Sequence, residues 1–427
     1  MFNLIDIRRI NLALAYSNRI WGEKADNSES AIASYQNALQ IYTSEAFPQN
    51  HTETLSNLGL AYQDTQQWQD AYDTFFAAIQ TTESLREEIL SGDESKQKLA
   101  EEWNRLYRRM VETCLQLNQP TEALEYAERS KTRNLVEAIL LGDSRSIFPL
   151  EVAEELALLR DEIASAQYQI QQGQVENYQE LAQLLQDLRQ QRNQLQDTYL
   201  PIGSSFQFDS FRQTLDQETA VIEWYISNDQ FLAFIITKDT PLSVWQSTLA
   251  NYQALRDFTF STYLQKYYSD RATWRNQLAE ALQNLSQILH LKEILQRLPS
   301  SCNRLILIPH RFLHLLPLHS LPIARNSTPN TDTSPTYLLD CFSRGISYAP
   351  SCQLLQQLQT RQRPEFNTLF AIQTPTDDLY EKDLGAVSAI EKQFTHSHIL
   401  RNKEATKSVL FEEMREFETR GRGDAES

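Results

Sequence analysis

At 427 residues the chain exceeds a usual single domain, which implies two or three folded units. Its 41% hydrophobic and 22% charged content, with few glycines, excludes a disordered or collagen-like chain and leans towards helix. The net charge of −17 is uneven, with 31 acids against 17 bases in residues 1–200 and 25 against 22 in the remainder, so the first half lacks the basic surface that nucleic-acid binding needs.

The first predicted elements are helices. Leu12 with Tyr16, then Ala31, Tyr35 and Ala38, are followed by Leu58, Gly59 and Tyr62 and by Ala71, Phe75 and Ala78. The stretch from Thr52 to Leu85 reads as one helix-turn-helix unit: Gly59 permits close approach, Ala71 and Ala78 keep the helices together, and Tyr62 and Phe75 fill the wedge. This is a tetratricopeptide (TPR) signature. Ala31, Tyr35 and Ala38 repeat the later spacing at an offset of 40 (71 − 31), and Ala123 with Ala127 marks a third, divergent pair. One helix pair cannot bury its apolar stripe alone, so a stacked array is expected over residues 1–141. With Leu55, Leu58 and Tyr62 turned towards the neighbouring helix, Glu53, Ser56, Leu60 and Gln63 form a second stripe that would line the concave groove and contact a protein or peptide partner.

A helix stop is expected near Gly142, with Pro149 opening the next element. Leu156, Leu159, Ile163, Ala166 and Ile170, then after Gly173 Leu181, Leu184, Leu188 and Leu195, predict a coiled-coil-like helical hairpin over residues 150–200. The pattern changes near Pro201. "TAVIEWYI" and "QFLAFIIT", joined by Ser227, Asn228 and Asp229, predict a β-hairpin, and residues from Leu249 to Leu298 predict helix with Trp274, Leu278, Leu282, Leu285 and Leu289 on one face. "RLILIP", "RGISYAP" and "NTLFAI" are short apolar strands of a buried parallel sheet, and the polar, Pro-rich run from Ala324 to Thr336 predicts an exposed loop.

In this order the chain resembles the bacterial TPR–CHAT family, TPR arrays followed by a caspase- and separase-like CHAT domain. The resemblance rests on "ALEYAERSKTRNLVEAI" (Ala123 to Ile139), "AVIEWYISNDQFLAFIIT", "LILIPHRFLHLLPLHSL" (Leu305 to Leu321), "SYAPS" (Ser347 to Ser351) and "EATKSVL" (Glu404 to Leu410). It implies an all-α superhelix and helical hairpin, then an incomplete α/β CHAT domain over residues 201–420 with a disordered tail at 421–427. It also implies a cysteine-peptidase mechanism in which a histidine activates a thiolate. The strand ending in His-Gly and the Ser-Ala-Cys run that carry this chemistry in the family are missing, and "GRGDAES" reads as the end of a truncated product. The expectation is therefore a TPR-mediated interaction protein with an inactive CHAT half. An active CHAT endopeptidase regulated through its TPR array, or a scaffold using the α/β half as a partner surface, are the alternatives.

No other constellation supplies chemistry. His310, His314 and His319 lie near Cys302, Cys341 and Cys352 in sequence, but none of these cysteines has the context of a thiol at an exposed strand end. His310 is expected to end a strand, His314 to anchor a loop, and His396 and His398 to precede a strand on the surface. No catalytic residue is assigned. With Cys114, the cysteines read as free thiols without zinc spacing, so no metal is expected, and the lack of G-x-G-x-x-G and Walker motifs removes support for a nucleotide cofactor. No stretch is apolar enough to span a bilayer, and "MFNLIDIRRINLALAY" is too interrupted for a signal peptide, so a cytoplasmic location without membrane contact is expected.

Overall fold

Small residues at helix spacing set the first architecture. In the computed structural model, which describes residues 24–85, 93–140, 148–171, 177–199, 206–323, 336–360, 368–373, 384–401 and 406–411, five helices begin the described chain. They are α1 (Lys24–Leu39), α2 (Pro48–Asp64), α3 (Trp68–Ser84), α4 (Asp93–Gln116) and α5 (Pro120–Leu140). Each packs on the next. Gly59 of α2 sits against the Phe75 ring of α3 so closely that a Cβ would lie 2.4 Å from Cε1. Ala31, Ala38, Ala71, Ala78, Ala123 and Ala127 are all buried at helix contacts, Leu58 is buried, and Tyr62 is half-buried. Leu12, Tyr16, Gly142, Gly173 and Pro201 lie outside the described residues, as do most of the 324–336 loop, Glu404, and the 421–427 tail.

The hairpin of α6 (Leu150–Gln171) and α7 (Tyr178–Tyr199) follows. Its α6 face is as expected, with Leu156, Leu159, Ile163, Ala166 and Ile170 buried. On α7 Leu181, Leu188 and Leu195 lie in the seam as expected, but Leu184 is exposed and Leu185 is buried in its place. The physical reason is the 4-then-3 spacing Leu181, Leu185, Leu188, Arg192, which brings a guanidinium into the seam. Arg192 Nη2 donates to the Ser84 carbonyl at 2.6 Å and Arg189 Nη1 to the Glu45 carbonyl at 3.0 Å. Ser84 closes α3, so Arg192 satisfies a carbonyl that has no partner within its helix.

After the short α8 (Phe208–Gln213) comes a five-stranded mixed sheet of β1 (Thr219–Ile226), β2 (Phe231–Thr237), β3 (Ser243–Gln246), β4 (Arg304–Ile308) and β7 (Ile346–Tyr348), in the order β3-β2-β1-β4-β7. The expected hairpin pairs β1 with β2 antiparallel, and β4 and β7 extend the sheet parallel to β1. The sheet is thus mixed, not wholly parallel. β5 (Pro322–Ile323) and β6 (Thr336–Tyr337) form a separate two-stranded ribbon. Every residue of β1 and β2 is buried, because both faces are covered. Val221 and Tyr225 join a core shared with Phe75, Tyr107, Met110 and Leu124 of the helical array. Ala220, Ile222 and Trp224 face the opposite core, beneath the helices of residues 249–295.

Those helices do not form one run. α9 (Leu249–Asp257) passes into a π-helical turn (Phe258–Leu264), then α10 (Gln265–Ser269), α11 (Arg271–Asn276), α12 (Leu278–Ile288) and α13 (Leu291–Leu295). Asp270 caps α11 by accepting from the Thr273 amide, and His290, with φ of 49°, turns the chain between α12 and α13. α14 (Cys352–Thr360) follows β7. Contacts divide the chain between Gln359 and Thr360. The second unit contains β8 (Thr368–Gln373), α15 (Leu384–Glu391) and β9 (His396–Arg401), with β8 and β9 parallel. His396 and His398 lie within β9 and do not precede it. The described chain is therefore helical pairs and a hairpin followed by an α/β region, and no described helix is long and apolar enough to cross a membrane.

Candidate functional site

Alternate helices of the array, α2 and α4, leave a cavity of about 200 Å³ between them. From α2 come Thr52, Glu53, Ser56, Asn57 and Leu60, and from α4 come Trp103, Arg105, Leu106 and Arg109, with Phe75 and Leu85 at the floor. Three of the four residues expected in the groove, Glu53, Ser56 and Leu60, line this cavity. Gln63 does not. One turn further along α2, its Nε2 donates to the Arg109 carbonyl at 3.2 Å and to Thr113 Oγ1 at 2.8 Å, tying α2 to α4 at the cavity's end.

The cavity's charges are unequal in their commitments. Arg105 is exposed and has no ion pair among the described residues. Arg109 is half-buried, and its Nη1 meets Glu112 Oε2 at 3.1 Å while its buried Nε has no partner among the described residues. Glu112 in turn accepts from Ser227 Oγ and from Asn228 Nδ2, the latter at 3.1 Å, and Arg108 Nε donates to Asn228 Oδ1 at 2.9 Å. Ser227 and Asn228 form the turn between β1 and β2. A polar chain thus runs from the cavity wall to the carboxyl end of β1.

The carboxyl ends of parallel strands are where α/β folds usually place their chemistry. Here that edge is occupied by a neutral imidazole. His310 Nδ1 accepts from the Ile226 amide at 2.9 Å, and the ring stacks on Tyr225 at 4.7 Å. Burial, with Lys131, Arg311 and His314 nearby, holds His310 well below the usual imidazole range. Its acceptor nitrogen is already engaged, so it has no lone pair for a general base. His314 is exposed on the short 3-10 helix Arg311–Leu315. His319 meets the Tyr348 hydroxyl through Nδ1 at 3.0 Å.

Beneath this edge lies a cluster that the sequence reading missed. Lys131 Nζ is 2.5 Å from Glu223 Oε1 and 3.9 Å from Glu128 Oε1. The Cys352 thiol donates to Glu223 Oε2 at 3.0 Å, and the Gln353 amide donates to Glu128 Oε2 at 2.7 Å. Both carboxyls and Cys352 are fully buried. Burial, then the adjacent Glu223, raises Glu128 well above the carboxylate range, which favours its protonated form beside the Glu223–Lys131 pair. Burial and Glu223 also push the Cys352 thiol well up, the opposite of what a nucleophile needs. The donor atoms of Glu128, Glu223 and Cys352 lie within 4.8 Å of one another. Lys131 already supplies the cation there, so the donor set does not fit a metal. Two signals in the chain mark this cluster: Glu128 and Lys131 stand three apart on one helix face, and Glu223 is a lone acid in an apolar strand.

The other cysteines are equally unsuited. Cys114 is buried and its thiol is raised by burial, Cys302 is half-buried and also raised, and Cys341 is exposed with its sulfur directed at the Tyr337 carbonyl at 3.7 Å. Among the described residues, no cysteine is hydrogen-bonded to a histidine. No family model matches the chain and no curated protein sequence matches it.

Proposed function

We propose that this chain is a TPR-type interaction protein that takes a peptide segment of a partner in the cavity between α2 and α4, joined to a CHAT-like α/β half that does not hydrolyse peptides. The observation that carries the reading is the cavity itself. It lies between alternate helices of the array and mixes apolar walls (Leu60, Leu106, Trp103) with polar groups such as Arg105 and Ser56. The committed His310 nitrogen and the raised, buried Cys352 thiol support the inactive reading of the α/β half.

The test is selection of a phage-displayed random decapeptide library on the full chain, followed by binding of the selected peptides to the Ser56→Trp variant. Ser56 is half-buried on the cavity wall, so the indole fills the space without entering the core. Selected peptides that lose affinity for this variant support the reading. Peptides that bind it as well as the parent chain place the partner surface elsewhere.

A further inference from the structure

The cavity carries positive charge in the acidic half of the molecule. Residues 1–200 hold 31 acids against 17 bases, yet the α4 wall presents Arg105 and Arg109, four residues apart and so on one helix face. Among the described residues, Arg105 has no counter-ion and the buried Nε of Arg109 has no acceptor. A guanidinium N–H out of water without a partner is costly, so the site lacks an acceptor that a ligand would bring. Glu53 on the opposite wall is exposed and repels a second acid, which confines a ligand carboxylate to the α4 side.

Resting on the peptide-binding reading above, we infer that the partner segment is acidic: one Glu or Asp side chain of the partner is shared by Arg105 and Arg109 and competes with Glu112 for Arg109. Competition has a structural consequence. Glu112 also holds the β1–β2 turn through Ser227 and Asn228, so a ligand carboxylate that draws Arg109 away alters the group that fixes this turn. The apolar remainder of the cavity, Leu60, Leu106 and Trp103, suits an aliphatic neighbour of the acid in the partner sequence.

The experiment uses the full chain and three fluorescein-labelled decapeptides of leucine and serine in which two positions are glutamate, glutamine or lysine. Charge-assisted hydrogen bonds are roughly twice as strong as neutral ones, so the glutamate peptide is expected to bind about tenfold tighter than the glutamine peptide, by fluorescence anisotropy at low salt. Arg105→Glu reverses the preference towards the lysine peptide, and Glu53→Gln strengthens the glutamate peptide several-fold. Hydrogen exchange at residues 226–230 changes with the glutamate peptide and not with the glutamine peptide. Equal affinity for all three peptides, unchanged by Arg105→Glu but lost in Ser56→Trp, overturns the acidic class and leaves the cavity reading standing. Glutamate-selective binding with no change at residues 226–230 overturns the competition for Arg109. Binding of none of the three to the parent chain overturns the acidic class, while the library selection still decides the cavity reading.

Discussion

Glu223 sits in a strand whose every other residue is apolar or a hydroxyl-bearing Thr or Tyr, and it is tolerated because Lys131 reaches across from α5. Removing one member of a buried pair leaves an uncompensated charge. Lys131→Met is therefore expected to lower stability by about 3–5 kcal/mol, whereas the double variant with Glu223→Gln recovers much of the loss, as read from urea midpoints. Glu128 adds a pH dependence of definite sign. Its folded-state value lies above its unfolded value, so the folded chain binds more protons, and its contribution to stability, full at pH below the usual carboxyl range, is lost as pH rises towards the raised value. Glu128→Gln imitates the protonated form. Relative to this variant the parent chain should lose stability as pH rises above the usual carboxyl range, and a constant difference between the two midpoints would count against a proton held at Glu128. Thiol reactivity orders the cysteines by the same physics. Exposed Cys341 should react with a disulfide reagent in the native chain, while Cys114 and Cys352 react only on unfolding.

At the scale of elements, close packing decides what is tolerated. Gly59→Ala gains helix propensity worth about 1 kcal/mol but drives a methyl into the Phe75 ring, and Phe75 is itself fixed in the core. Overpacking costs about 1–3 kcal/mol, so the net effect should be a lower melting temperature. The hairpin is held by Arg189 and Arg192 against carbonyls of the array. Arg192→Met should raise hydrogen exchange in α7 and the end of α3 while leaving β1 unchanged. Elements with strong periodicity were legible in the chain: the Ala-aromatic-Ala helices, the β1–β2 hairpin and the α6 stripe all follow from spacing. On α7 Leu181, Leu188 and Leu195 were legible, while the adjacent Leu184 and Leu185 look alike to a leucine pattern and the arginine in the seam is invisible to it. The breaks at the π turn, Asp270 and His290 were hidden for a different reason. They depend on a cap and on one left-handed residue, neither of which interrupts the apolar pattern around them.

At the scale of the molecule, the helical array and the five-stranded sheet share one core, since Phe75 and Met110 belong to the same buried cluster as Val221 and Ile306. Pattern reading divides a chain where its period changes, near Pro201, whereas packing joins what comes before to what comes after. Native-state hydrogen exchange in rising urea should therefore bring the amides of α3 and β1 onto one common opening. The candidate site was partly legible for the same reason. Glu53, Ser56 and Leu60 follow from the periodicity of a single helix, but Arg105, Arg109 and the Glu223 cluster meet their partners only through contacts between elements. The most direct test of the cavity as the partner site is hydrogen exchange of the full chain saturated with the tightest decapeptide from the library. New protection is expected in residues 49–60 and 103–109, the two walls. Protection confined to the helices of residues 249–295 or to the α6–α7 hairpin, with the two walls unchanged, would contradict it.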